Sequence, residues 1–334
     1  MRKADGCVGE KSMAPPVIRL GLIGCGTVGS AFAEQLLARE PILSRRLGAR
    51  LHLARVAVRD TKRMRPVPRT SLTDDAADIA GDPDIDVVIE ASGAAQASEW
   101  LRSALGRGAT VVTASKQAVA RTPALLERLV RRDQRLWCEG AVAAGVPVVR
   151  ALRESLAGEE VLSIRGVLNG TSTFLLTRLE AGQTFEQALG DARTLGYSEA
   201  DPSADLDGSD AAAKIAILCT VAWRTPVLAS DVAVTGIDGI VPLAREGGWR
   251  LVATAWRDGD RVRATVAPER LSGTDSLASA RGVVNVVEVK ASLAGALTWS
   301  GAGAGGAATA SALVGDTLSA ARQALHRLRA RIAA

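Results

Sequence analysis

Residues 198–214, SEADPSADLDGSDAAAK, place five carboxylates (Glu199, Asp201, Asp205, Asp207 and Asp210) ahead of one lysine, Lys214. Like charges at this density repel, so either water screens them or a cation sits among them. A calcium loop would use Ser203, Asp205 and Asp207 with Gly208 at the turn. Its twelfth position needs a bidentate glutamate and is Lys214, and its first position is also the wrong residue, so an EF-hand is rejected. A two-carboxylate glycosidase has nothing else in support. The remaining guest that needs carboxylates is the ammonium group of a small amino acid. Asp210 and Lys214 stand i, i+4 on one helix face with three alanines between them, open to close approach by another element. The same spacing suits an ordinary surface ion pair, and both readings stand at this level. Lysine occurs only at 3, 11, 62, 116, 214 and 290, while arginine fills most other cationic positions. Lysine surrenders its proton when a site shifts its pKa and arginine does not, which singles out Lys116 and Lys214.

The elements that would position these groups follow from hydrophobic pattern. VIRLGLI (17–23) reads as a buried strand, GCGTVG follows it, and SAFAEQLLARE has helical spacing. Gly24, Gly26 and Gly29 meet the G-x-G-x-x-G pattern between strand and helix, where backbone N–H groups approach a pyrophosphate. Further strands read at 49–58, 85–93 and 109–116, with helices between them, which implies parallel βαβ units. Glu90 to Gly93 (EASG) and Thr113 to Lys116 (TASK) fall at the C-terminal strand ends, where ligands of open α/β sheets bind. Lys116 there is either a crevice lysine or a surface one. After the second strand come Arg59, Asp60, Lys62 and Arg63. Arg59 and Lys62 either receive a 2′-phosphate or belong to a solvated basic loop, so the reading inclines to NADP with NAD left open.

After about residue 146 the rhythm changes. VLSIRGVLNG reads as a strand entering a turn, TSTFLLTRLEAG and TFEQALGDARTLG as helices, and DAAAKIAILCTVAWR as another helix. RLVATAWRDGDRVRATV reads as a hairpin. A glycine-rich turn and a long amphipathic helix close the chain. The expected architecture is α/β: an N-terminal Rossmann nucleotide-binding domain with a second α+β domain for catalysis and dimerisation. Its expected bounds are 1–16 for a flexible extension, 17–146 with 302–334 for the Rossmann domain, and 147–301 for the second domain.

Composition limits the alternatives. The chain has 334 residues, 47% hydrophobic and 23% charged, enough for a packed core of two modest domains. Four cysteines without a C-x-x-C pair suit a reducing cytoplasm, and two histidines are too few for a histidine metal cage. No apolar run approaches a membrane span, and the first sixteen residues lack the apolar stretch of a signal peptide. The net charge of +5 raises nucleic acid as a partner, but one Tyr and three Phe leave few stacking platforms.

Taken together, GLIGCGTVGSAF, VAVRD, TASK, EGAVAAGVPVV, LNGTSTFLLTRLE, LGYSEADPSADLDGSDAAAK and GAGAGGAATASALVGD resemble homoserine dehydrogenase from about residue 17 to 330. The resemblance implies reversible, NAD- or NADP-dependent interconversion of L-homoserine and L-aspartate 4-semialdehyde, toward threonine and methionine. It implies Glu199 and Asp205 on the substrate's amino end, Lys214 as proton donor and acceptor, and Lys116 and Asp210 as its catalytic partners. For the cofactor it implies Gly24, Gly26, Thr27, Val28, Gly29, Arg59, Lys62, Ser92, Gly93, Ser115 and Lys116, with Gly303 and Gly305 of the C-terminal turn beside the nicotinamide. It also implies a sodium ion held largely by backbone carbonyls of Glu139, Val142, Ala144 and Val146, a cytoplasmic homodimer, and no nucleic-acid or membrane partner. TASK stands where the family has TANK, and GTSTF where GT-x-N-[YF] is commoner. With no room for the ACT domain of longer members, feedback through such a domain is not expected.

Overall fold

The computed structural model describes residues 15–131, 134–198 and 201–333. The expectations for Glu199, Cys7 and most of the 1–16 extension lie outside the described residues. Six strands, β1 (Val17–Ile23), β2 (Arg50–Ala57), β3 (Leu72–Thr73), β4 (Val87–Glu90), β5 (Thr110–Thr113) and β6 (Leu136–Trp137), form one parallel sheet. Its order, β3-β2-β1-β4-β5-β6, reverses between β1 and β4 and so opens a crevice at their C-terminal ends. The crossovers carry α1 (Thr27–Leu47), α2 (Ala76–Gly81), α3 (Ala97–Gly106), α4 (Lys116–Ala120) and α5 (Pro123–Val130).

Both faces of this sheet are covered, which explains its near-continuous apolar strands. Ile18, Leu20, Leu22, Val87 and Ile89 pack in one cluster with Phe32 of α1. Ile23, Val88 and Val111 turn the other way, into a cluster with Leu101 of α3. α1 begins directly after the glycine turn and stops at Gly48, whose φ of 72° lets its N–H reach back to the Ser44 carbonyl.

The chain then leaves through α6 (Val148–Arg150) and a π-helical turn, Ala151–Ser155. A second sheet follows: β7 (Val161–Val167), β8 (Ala233–Val234), β9 (Trp249–Asp258), β10 (Arg261–Arg270), β11 (Val284–Ala291) and β12 (Gly295–Ala302). Its order is β12-β11-β7-β9-β10-β8, antiparallel except for β8 beside β10, and β9–β10 is the expected hairpin. Between β7 and β8 run α7 (Gly170–Glu180), α8 (Phe185–Thr194), α9 (Ser203–Leu206) and α10 (Ser209–Trp223). α10 is buried on nearly every side, as its all-round apolar sequence demands. It touches β7, β9 and β10 on one side and α4 and α5 on the other, and so bridges the two sheets. Finally α11 (Gly306–Ala333) returns to lie on α1, β4 and β5, adding Ala310, Leu313 and Val314 to the Phe32 cluster.

Candidate active site

The glycine turn is shaped by close approach. Gly24 has φ +91° and a Cβ there would lie 2.5 Å from Ser92 Cα, while a Cβ on Gly29 would lie 2.0 Å from the Gly24 carbonyl oxygen. Gly26 has nothing within 4 Å, so its open side is free for a ligand. Thr27, Val28 and Gly29 form the first turn of α1, which carries no acidic side chain, so the positive helix end faces the crevice undiminished. The crevice is a cleft of about 1010 Å³ lined in part by Gly24, Gly26, Arg59, Ser92 and Gly93. Lys62 is not among its lining residues; Arg63 and Arg65 are. The Arg65 guanidinium lies across the turn, Nη1 donating to the Cys25 carbonyl at 2.6 Å. Gly306 meets the same turn from α11: a Cβ on it would sit 3.1 Å from Thr27 Cγ2. Gly305, at φ +111°, is open to its surroundings.

Glu90 organises the other wall. Fully buried, its Oε1 accepts from the Ser92 N–H at 2.8 Å and the Ser92 hydroxyl at 2.7 Å, and its Oε2 accepts from the Thr113 hydroxyl at 2.7 Å. Thr113 Oγ1 in turn accepts from the Ser115 N–H at 2.9 Å, and Ser115 caps α4, whose first residue is Lys116. One carboxylate thus fixes the loops carrying Ser92, Gly93, Ser115 and Lys116.

Lys116 reaches α10. Its Nζ lies 2.8 Å from Asp210 Oδ1, and Lys214 Nζ lies 2.7 Å from Asp210 Oδ2, so one carboxylate joins both lysines. Lys214 also donates to the Leu168 carbonyl at 2.6 Å. Asn169 Nδ2 donates to Asp205 Oδ1 at 2.6 Å and to Asp210 Oδ2 at 2.8 Å, while its Oδ1 caps α7 by accepting from the Ser172 N–H. The four described carboxylates of the acidic run therefore do not converge. Asp205 and Asp210 turn inward. Asp201 accepts from the Ser203 N–H and Asp207 from the Ser209 N–H, as exposed local caps. The Asp210–Lys214 pair is no surface ion pair: side-chain exposures are 7% and 9%.

The electrostatics follow from this sharing. Burial works against the charge on Asp210, but Lys214 and Lys116 together overcome it and hold the carboxyl far below its usual range. For Lys214 burial is the largest influence and draws the ammonium below the ordinary lysine range; Asp210 opposes the shift and Lys116 adds to it. Burial likewise raises Asp205, against the hydrogen bond from Asn169. An ammonium has three N–H donors, and Lys214 spends two on protein partners. The third is available to a reactant oxygen, and the depressed pKa makes proton exchange easier near neutrality. Burial pushes the Cys138 and Cys219 thiols up to about 12, so neither is a nucleophile.

The segment from Glu139 to Val146 curls through Ala143 and Ala144, at φ 53° and 45°, the left-handed region that residues with a Cβ rarely adopt. The Glu139 carboxylate accepts from the N–H groups of Val149 and Arg150, and its own N–H donates to Asp316 of α11, which also pairs with Arg150 at 3.0 Å. Burial and the neighbouring Asp316 push the Glu139 carboxyl up to about 7. Among the described residues no cluster of three or more His, Cys, Asp or Glu side chains could hold a metal.

The chain that carries this cleft, with the buried Asp210 and Lys214 and the half-buried Lys116 beside it, is similar to known proteins. The family model described as homoserine dehydrogenase covers residues 147–318, and that described as homoserine dehydrogenase, NAD binding domain, covers 24–151. The chain belongs to the homoserine dehydrogenase family. The homoserine dehydrogenase of Mycobacterium leprae is 39% identical over 319 residues, 91% of this chain and 72% of that protein. That of Corynebacterium glutamicum is 37% identical over 328 residues, 94% of this chain and 74% of that protein. The crystal structure of a homoserine dehydrogenase from Thiobacillus denitrificans superposes with a TM-score of 0.83 at 33% identity, covering 94% of this chain and 75% of that one. A hyperthermophilic archaeal homoserine dehydrogenase in complex with NADPH superposes at 0.78 with 27% identity, covering 91% of this chain and 97% of that one. The chain is an NAD(P)-dependent oxidoreductase of this family. Motif reading passed over Glu90 and Asn169 as site residues. Glu90 had a signal, a carboxylate closing an apolar strand; the amide of Asn169 had none beyond its place in LNGTSTF.

Proposed function

We propose that this homoserine dehydrogenase interconverts L-homoserine and L-aspartate 4-semialdehyde with Lys214 as the proton-transferring group. The carrying observation is the buried Lys214 held by Asp210 and Leu168 with one N–H uncommitted. The nicotinamide, when bound, supplies or accepts the hydride. In the reducing direction Lys214 gives a proton to the aldehyde oxygen as it becomes a hydroxyl; in the oxidising direction it takes that proton back. Asp210 keeps the ammonium in place, and Lys116, fixed through Ser115, flanks it. Asp205, with Glu199, receives the substrate's amino group. Mixing the protein with L-homoserine and NADP+ or NAD+ and following the reduced nicotinamide band tests the activity. Absence of signal with both cofactors defeats it.

NADP is the preferred cofactor in this reading. Arg59 and Arg63 are exposed at the cleft with Arg65 beside them. Of the three carboxylates that line the cleft, Asp60 accepts from the Lys62 N–H and Asp75 caps α2, and Asp74 is the third. The NADPH complex of the archaeal relative is in keeping with this. Gly303 and Gly305 border the nicotinamide end in the same reading.

A sodium ion fits the 139–146 curl. Among the described residues the carbonyls of Val142 and Ala144, both in buried residues, accept no hydrogen bond, and a carbonyl oxygen suits a hard cation. The Glu139 and Val146 carbonyls, which accept from the Val142 and Val148 N–H groups at 3.1 and 2.9 Å, would complete the set through their second lone pairs, next to α6. Replacing sodium by choline is expected to lower the melting temperature; an unchanged value removes the site.

The parallel sheet with 302–334 forms the nucleotide domain and 147–301 the second domain. The second sheet presents Trp256, 39% exposed, on the face opposite α10, and a homodimer through that face is proposed. No helix among the described residues is long and apolar enough to cross a membrane, and the proposed setting is the cytoplasm. Sedimentation at two protein concentrations tests the dimer.

A further inference from the structure

Asn285 of β11 is fully buried, and it lies beside the carbonyl that holds Lys214. Its Nδ2 donates to Leu168 O at 3.1 Å, the same oxygen that accepts from Lys214 Nζ at 2.6 Å. Its own Oδ1 is buried with no hydrogen-bond partner. The amide cannot turn over to satisfy that oxygen, because the turned amide would face one oxygen with another. Gly303 closes the remaining space: a Cβ there would lie 2.0 Å from Asn285 Cγ and 2.1 Å from Oδ1. The amide is thus pinned between the C-terminal glycine turn and the Leu168 carbonyl.

A buried amide with an unsatisfied oxygen is a poor choice for stability, since an apolar residue of the same shape would avoid the desolvation cost. Its retention asks for a purpose at the one bond it makes. We infer that Asn285 is a positioning residue for the proton transfer: it fixes the Leu168 carbonyl, and through it the direction of the uncommitted Lys214 N–H. A carbonyl has two lone pairs, and a second donor decides which one the lysine takes. Without it, Lys214 keeps Asp210 and the carbonyl but gains freedom about both, so its third N–H is less often aimed at the reacting oxygen. The inference rests on Lys214 as the proton-transferring group. In this assignment Asn285 acts through the Leu168 carbonyl.

The test compares Asn285→Leu, close to isosteric, and Asn285→Ala, which cannot overpack against Gly303, with the unaltered protein. Both are expected to lose roughly tenfold in kcat with KM within about twofold, the pattern of an interaction needed only in the transition state. Asn285→Leu is expected to melt no lower than the unaltered protein. With six lysines in the chain, lysine side-chain NMR can follow Lys214 alone, its signal identified by loss in Lys214→Met. Removing the competing donor makes the Leu168 oxygen a better acceptor, so the Lys214 titration is expected to move to higher pH in both variants. Unchanged kcat overturns the inference. So does a drop in melting temperature and kcat together with an unmoved Lys214 titration, which would make Asn285 merely structural. Turnover surviving in Lys214→Met would sink the proton-transfer reading instead, while the titration would still decide whether Asn285 acts on that lysine.

Discussion

A carboxylate shared by two ammonium groups leaves one proton too many in a dry place, and that excess falls on Lys214. Lys214→Ala is expected to cost about 10²–10⁴ in turnover, the usual worth of a positioned acid–base group, with NADP+ affinity within about twofold. Retained turnover in steady-state assays would remove the role. The pH dependence has a definite sign. Reduction needs the ammonium, so its rate falls as pH rises through the Lys214 pKa; oxidation needs the free amine, so its rate rises through the same point. Because burial lowers that pKa, the crossing lies below the ordinary lysine value of about 10.4. Rate profiles in both directions check this, and a crossing at or above that value contradicts it. Scarcity of lysine was enough to pick out Lys116 and Lys214 in the sequence. The sequence could not tell which acids of 201–210 face inward, because Asp201, Asp205 and Asp207 are the same residue type, and only the fold gives Asp205 the distant Asn169 amide while Asp201 and Asp207 cap neighbouring backbone N–H groups.

At the scale of elements, the glycine turn separates two effects that a motif match merges. Gly29→Ala forces a Cβ onto the Gly24 carbonyl, so both fold stability and dinucleotide affinity are expected to fall. Gly26→Ala meets no protein atom, so the melting temperature is expected to hold while the added methyl obstructs the diphosphate and weakens binding about tenfold or more. Thermal melts and titration with NADP+ distinguish the two. Arg59→Ala is expected to weaken NADP+ by about tenfold while leaving NAD+ unaffected, as loss of one charge-assisted contact to a phosphate would. Equal losses for both cofactors in a binding titration would remove the 2′-phosphate role. The longer parallel strands were legible from their apolar runs, which for β1 and β4 close at Gly24 and Gly93. β3 and β6, two residues each, were not, since no period fits in two residues. α10 was legible as a helix but not as the bridge between sheets; its burial on both sides comes from partners distant in the chain.

Over the whole molecule, the returning helix carries weight out of proportion to its place at the end of the chain. Leu313, fully buried between α11 and the parallel sheet, should cost about 2–4 kcal/mol when cut to alanine. The loss should appear in denaturant melts, and if the nucleotide cleft depends on that packing, a fixed NADP+ concentration should stabilise the variant less than the unaltered protein, because its Kd has risen. The glycine-rich tract announced the turn before α11, and the motif in it suggested the return, but contacts such as Gly306 on Thr27 have no local signature. The topology also sets an order of events during synthesis. The apolar face formed by Val87, Ile89 and Val112 of β4 and β5 is made well before the segment that covers it, α11, which emerges about 200 residues later, a delay on the order of tens of seconds. Until then a nascent chain exposes the β4–β5 part of that face, so stalled chains ending before Gly306 should bind holdase chaperones and be cleaved by protease, while the released chain should resist both.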